Sequence, residues 1–424
     1  MTTVSINGMP GYPGAPGSIN ALTGSEYLHA IQNQSGTWTD VALELASILS
    51  ITGANILAYG GDPTGTNDNS AALTAAAAAC PTGRVAVYFP PGKYKFTSSW
   101  VYTMPSALCS IALFGAGPDV TELTFPSTHG LNVQFNGAFN TAHIRDLTVT
   151  TGAAGGYTGI KFQQNVANSN PADTAVSDLT NVVLRGADNY AGTDYWTYAF
   201  QTVGVSNINF INVTAYGPGP TSGGYTTVGT GFSLVTASST MPPVVFNFIG
   251  CTINYVGSGI EYGSYVQGVT VTNCNFVGGN IGIIVDNGAT GLDQLTVTNS
   301  QFNCLANGIL SDTAVGNTII TGNLFIVTQS PATAVDLNYC AIFAIVGNTV
   351  NGSGGSSNNG IVINNTQGSY PGIITGNCFI GLGGTAVILQ SASNHVNVQA
   401  NVYAGSGGTV SNSGTSNSVG VATQ

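Results

Sequence analysis

Three acidic residues recur at related places of neighbouring sequence units: Glu261 in GIEYG, Asp286 in GIIVD and Asp312 in GILSD. Aligning these units puts Asp286 and Asp312 at one position of adjacent strands, with backbones about 5 Å apart. Glu261 falls one strand earlier and two residues back, on the same face by the period-two alternation of a strand. Two carboxylates held this close repel, so one keeps its proton to higher pH. The spacing gives carboxyl separations of roughly 5 to 9 Å, which spans both retaining and inverting glycosidases. Glu261, Asp286 and Asp312 are therefore the expected catalytic residues for hydrolysis of a glycosidic bond, without a choice of stereochemistry. Asp residues that merely terminate strands are the competing reading. Asp336, in AVDLN, continues the Glu261 column three strands on and is an expected substrate contact. Tyr195, Trp196 and Tyr198 in GADNYAGTDYWTYAF, with Tyr262 beside Glu261, are the expected stacking faces for sugar rings. Packing of loops or of subunits is the alternative use for such aromatics.

Composition narrows the partners. Charged residues make up 5% of the 424, the formal net charge is −11, and all six Lys and Arg fall between Arg84 and Arg185. A surface so short of bases cannot neutralise phosphates, so nucleic acid is not an expected partner. No apolar run reaches the ~18 residues of a membrane span, so membrane insertion is not expected either. The start, MTTVSINGMP, has neither the basic nor the apolar region of a secretory signal. Seven Cys and four His are scattered without metal-ligand spacing, so they read as reduced thiols and isolated imidazoles, with no metal or cofactor expected.

The acids need elements to position them, and a repeat supplies these. Units such as TNCNF (272–276), TNSQF (298–302), TGNLF (321–325), VGNTV (346–350) and TGNCF (375–379) recur. From IGCTI to QANVY the steps are 23, 26, 23, 25, 29 and 24 residues. Each unit follows an alternating strand and precedes a second short one. A ~25-residue period of short strands and Gly-Asn turns predicts an all-β solenoid whose rungs stack about 4.8 Å apart. Asn323, Asn348, Asn377 and Asn401 align in one column, continued upward by Ser300, Cys274 and Cys251. Stacked amides hydrogen-bond along such a column, and small thiols fill the same interior slot.

Ahead of the repeats, Asp68 to Ser70 supply helix-capping chemistry to SAALTAAAAA, a strong helix former expected to cover the exposed first rung. Here the stretch GGDPTGTNDNSAAL…VYFPPGKYKF resembles the N-terminal signature of the pectate-lyase-like right-handed parallel β-helix family, of the type found in phage tailspikes and virion-associated polysaccharide depolymerases. Asn69 stands where that family often has a second Asp. The resemblance implies a right-handed single-stranded parallel β-helix over 53–405, with an N-terminal capping helix. It also implies a virion spike or fibre that binds bacterial surface polysaccharide and hydrolyses it. A non-catalytic structural or adhesin protein of the same fold is the alternative. Lyase chemistry would need calcium carboxylates and a catalytic base, and only Lys161 and Arg185 lie near.

Residues 1–52 read as an attachment and oligomerisation segment. GMPGYPGAPG carries Gly at period three, which favours polyproline II, and TWTDVALELASIL places Val41, Leu45, Ile48 and Leu49 on one helical face. A homotrimer, attached to other virion proteins through this segment, is expected. Residues 406–424 read as a Gly/Ser/Asn-rich tail.

Overall fold

The computed structural model describes residues 27–34, 37–44 and 53–420, apart from 107, 138, 167–173, 191, 221–223, 238–241, 264, 286–293, 313–314, 353–356, 367 and 369. From residue 53 onward it is a right-handed parallel β-helix. Twelve strands, from Trp100–Thr103 to Gly408–Asn412, stack into one sheet, here called the front sheet. The remaining strands form two further faces, continuous where Thr141–Thr151 and Ser177–Gly186 each bend across both.

The bend explains the Asn/Gly half of the repeat. One residue per rung turns the corner with positive φ, from Asp146, Asn181 and Asn212 through Asn273, Asn299, Gly322, Gly347 and Gly376 to Ala400. Such angles are tolerated by Gly and Asn and cost other residues about 1–2 kcal/mol. The next residue points inward, which creates the amide column. Asn323, Asn348 and Asn377 each donate a side-chain amide proton to the Oδ1 of the next Asn at 2.9–3.0 Å. Each Oδ1 also accepts a backbone N–H from the rung before, beginning with Ser300 on Asn323 at 2.8 Å. Cys251 and Cys274 occupy the same column, buried and unoxidised, as the small fillers expected.

Inside, large and small residues alternate across the barrel. Phe276, Phe302, Phe325, Val350 and Phe379 stack in register on one face. Opposite them on the front sheet stand Gly259, Gly282, Gly308, Ala334 and Gly360. A Cβ at Gly259, Gly282, Gly308 or Gly360 would approach the facing Phe ring to 2.6–2.7 Å. The one Ala in this series stands on the rung where Val350 replaces Phe.

The α-helix Ser70–Ala79 (α1) covers the first rung through Ala72, Leu73, Ala76 and Ala77. Asn69 holds the N-cap position without a side-chain capping bond, and Asp68 before it accepts from the Ser70 N–H and hydroxyl and from Thr97. Asn69 is fully buried and ties the preceding loop together through the Asp62 N–H and the Asp62, Asn67 and Lys95 carbonyls. Its departure from the family's Asp is thus structural.

Two expectations are corrected. Residues 37–44 are not helical: Thr37–Glu44 pairs antiparallel with Tyr27–Gln34 in a hairpin. Alternating β-branched and aromatic residues there (Thr37, Trp38, Thr39, Val41) suit a strand better than a short helix. The rest of the expected helix and the Gly-x-Pro triplets lie outside the described residues, as does all of the expected attachment segment except this hairpin. At the other end the solenoid continues past 405, because Gly408–Asn412 and Ser418–Val419 add to two sheets. Val410 and Val419 pack on the core, and Asn394 and Asn417 tie the turn.

Candidate functional site

The outer face of the front sheet collects the carboxylates. Parallel register places Ser233, Glu261, Ile284, Leu310, Asp336 and Val362 in one column, each on its own rung. Asp336 thus continues the Glu261 column as the spacing implied, three rungs or about 14 Å away along the stack. Asp312 follows Ser311, whose partner is Leu337, so it lies one rung from Asp336 and two residues along the strand. Rung and strand spacing put their backbones about 8 Å apart. Asp286 lies outside the described residues.

The surroundings of the acids differ. Asp312 is exposed, and its backbone carbonyl accepts from the Asn338 amide at 3.2 Å. Asp336 is half-buried. Burial, and secondarily the Asp312 charge, push its carboxyl above the usual carboxylate range, against a 2.6 Å hydrogen bond donated by Asn364. Glu261 accepts from the Thr230 hydroxyl at 3.2 Å. Thr230 pairs with Tyr198, so Tyr198 shares this face. Sequence reasoning passed over Thr230, Asn338 and Asn364, although the same alternation that selects Asp312 selects Asn338 and Asn364 on the following rungs.

The expected aromatic platform separates. Tyr262 and Trp196 are core residues, 1% and 2% exposed, and offer no face to a sugar. Alternation required this of Tyr262, since its neighbour Glu261 points out. Trp196 donates to the Val149 carbonyl at 3.3 Å beneath the loop. Tyr195 is half-buried and pairs with Ala154 at the sheet edge. Tyr190 faces elsewhere. Its hydroxyl donates to Asp119 at 2.6 Å, and its ring packs on Tyr216 and under Arg185. Arg185 is itself buried and bonded to Asp119 at 3.0 Å, away from the front sheet, so it does not reach the acids. Lys161 does lie on the acid-bearing face, three rungs before Glu261.

Residues 53–324, well over half of the chain, match the profile of the family described as rhamnogalacturonase A/epimerase, pectate lyase-like. The chain belongs to that family. The matched segment contains Glu261 and Asp312 and ends before Asp336. No curated protein gives a significant sequence match. Solved structures of the same fold include the A-module of the Azotobacter vinelandii mannuronan C-5 epimerase, at 15% identity and TM-score 0.55, with 87% of this chain and 100% of that one covered. The catalytic domain of a GH87 alpha-1,3-glucanase in complex with tetrasaccharides aligns at 14% identity and TM-score 0.58, over 85% and 69%. The Dettilon tailspike protein aligns at 12% identity and TM-score 0.50, over 83% and 68%. At these identities the likeness is one of fold. No described helix is long and apolar enough to cross a membrane.

Proposed function

We propose that this protein is a tailspike-like virion component that binds bacterial surface polysaccharide along the outer face of the front sheet and hydrolyses it there. The Asp312–Asp336 pair carries the reading. Hydrolysis needs one carboxyl that keeps its proton and one that is ionised. Asp336, half-buried and beside a second acid, is the proton donor to the leaving oxygen. Asp312, exposed to solvent, is the carboxylate that activates water or attacks. Glu261, with Thr230 and Tyr198, holds the polymer two rungs before Asp312, and Asn338 and Asn364 bind hydroxyls beside the acids. Asp286 remains a proposed member of this set. The family match and the glucanase and tailspike folds support a carbohydrate-active assignment.

Burial of Trp196 and Tyr262 favours a second reading, a non-catalytic adhesin, since it removes two of the aromatic faces a processing groove would use. Incubation with host surface polysaccharide separates the two. Oligosaccharides released by the wild type, and lost in Asp312→Asn and Asp336→Asn with glycan retention kept, support hydrolysis. Retention without release in the wild type selects the adhesin.

A further inference from the structure

We propose a second binding site, on a different face from the acids, for a sugar carrying an anionic group (a carboxylate, or a phosphate or sulfate ester). The outer positions of three consecutive strands form a grid in strict parallel register. Arg84, Ala86 and Tyr88 lie over Ser110, Ala112 and Phe114, which lie over Thr141, His143 and Arg145. The grid is low at Ala112, whose side chain is small. A depression of about 360 Å³ opens there, lined by Ala112, Leu113, Phe114, His143, Arg145 and Asp146.

Phe114, His143 and Arg145 line this depression, and Tyr88 and Arg84 flank it from the neighbouring strand. On one side Tyr88 and Phe114 stack, centroids 5.3 Å apart at 29°, forming an apolar wall of the kind that packs against a ring. Arg145 stands at the head, and its geometry is fixed. The buried Asp178 accepts from its Nε at 2.9 Å and its Nη2 at 2.7 Å, and also from Thr180 at 2.9 Å and from the His143 ring. That leaves Nη1 without a hydrogen bond among the described residues, on a side chain still 50% exposed. Arg84 is exposed on the far side of the alanine floor, next to the Ser110 and Thr141 hydroxyls, which bond each other at 2.8 Å.

Charge makes this placement selective. The chain carries −11 overall, and no Lys or Arg follows Arg185. An anionic ligand is repelled by most of the surface and meets the Arg145 guanidinium at the depression, with Arg84 at the opposite corner of the grid. Asp178 neutralises one of them, and Asp146 lies at the rim, so attraction for a free ion is modest. An anion joined to a ring adds contact with the Tyr88–Phe114 wall. The site sits several rungs from Glu261 and does not depend on the front sheet being catalytic.

Titration calorimetry on the full-length protein at low salt tests this, with four probes: a hexuronate oligosaccharide, a sulfated oligosaccharide, a neutral glucan of equal length and inorganic phosphate. Either acidic oligosaccharide is expected to bind at least tenfold tighter than the neutral one and than phosphate, and to weaken as salt rises. Which of the two binds more tightly identifies the anion. Ala112→Leu fills the depression from the solvent side without touching the core, and Arg84→Ala removes the exposed cation. Each should weaken acidic binding about tenfold and leave any front-sheet glycan release unchanged. Equal binding of acidic and neutral probes, phosphate binding as tightly as the sugars, or affinity unmoved by Ala112→Leu would each overturn the site. None of those results bears on the Asp312–Asp336 reading.

Discussion

Asp336 and Asp178 are both carboxyls taken partly out of water, and their neighbours send them in opposite directions. Burial raises both, but only Asp178 receives Arg145, His143 and Thr180, whose hydrogen bonds outweigh it and hold the carboxyl well below the usual carboxylate range. Its stabilising contribution is therefore fully present above the unfolded Asp value near 3.9 and is lost as pH falls below it. Asp178→Ala, which removes these hydrogen bonds while Arg145 stays half-exposed to water, should cost about 2 kcal/mol in urea unfolding at pH 7. The sign reverses for Asp336. Its folded pKa is raised, so stability is fully present below the unfolded value and declines as pH rises through the folded one. Asp336→Asn should flatten that decline in unfolding free energy measured from pH 4 to 8; an unchanged slope would count against the burial seen here. Alternation alone placed Asp336 and Asp312 outside. The raised carboxyl was not legible, because it depends on how deeply the sheet buries one side chain and on Asn364 from the next rung.

The rung is the element that the sequence spells most clearly, since Gly or Asn at the corner and a small residue after it are steric requirements. Asp146 and Ala400 are the exceptions at the corner, and Ala400, at φ 53°, lacks the short polar side chain that lets Asp tolerate this region. Ala400→Gly should therefore raise stability by about 1 kcal/mol, read as a higher melting temperature. The Phe–Gly complementarity allows a sharper experiment. Val350→Phe alone overpacks against Ala334 and should destabilise by about 1–3 kcal/mol. Adding Ala334→Gly restores the pairing found on four neighbouring rungs and should recover most of that loss in a double-mutant cycle. Additive losses would refute the complementarity. Sequence reading failed where periodicity was ambiguous or short. Residues 37–44 carry a helical stripe as well as strand-forming residues, and Tyr27–Gln34 supplies the partner that selects the strand. The final rung was hidden by its Gly/Ser/Asn composition, which here makes turns and amide ties around Val410 and Val419.

At the scale of the molecule, a long solenoid with 5% charged residues presents hydroxyls and amides over most of its surface and gathers its bases at one end. Neutral polar surface of this kind suits an uncharged or weakly charged polymer on the front sheet, with anion recognition confined to the early rungs. If residues 1–52 assemble the protein, light scattering should give a trimer mass for the full chain and a monomer for one beginning at residue 53; a full-length monomer would remove that proposal. The most direct test of the central claim is the pH dependence of oligosaccharide release from host polysaccharide by the wild type and Asn364→Ala. Release by the wild type should fall on the basic side as Asp336 loses its proton. Asn364→Ala removes a hydrogen bond that favours the ionised form and should move that limb to higher pH. Full release by Asp336→Asn, or a limb that Asn364→Ala leaves in place, would contradict the account.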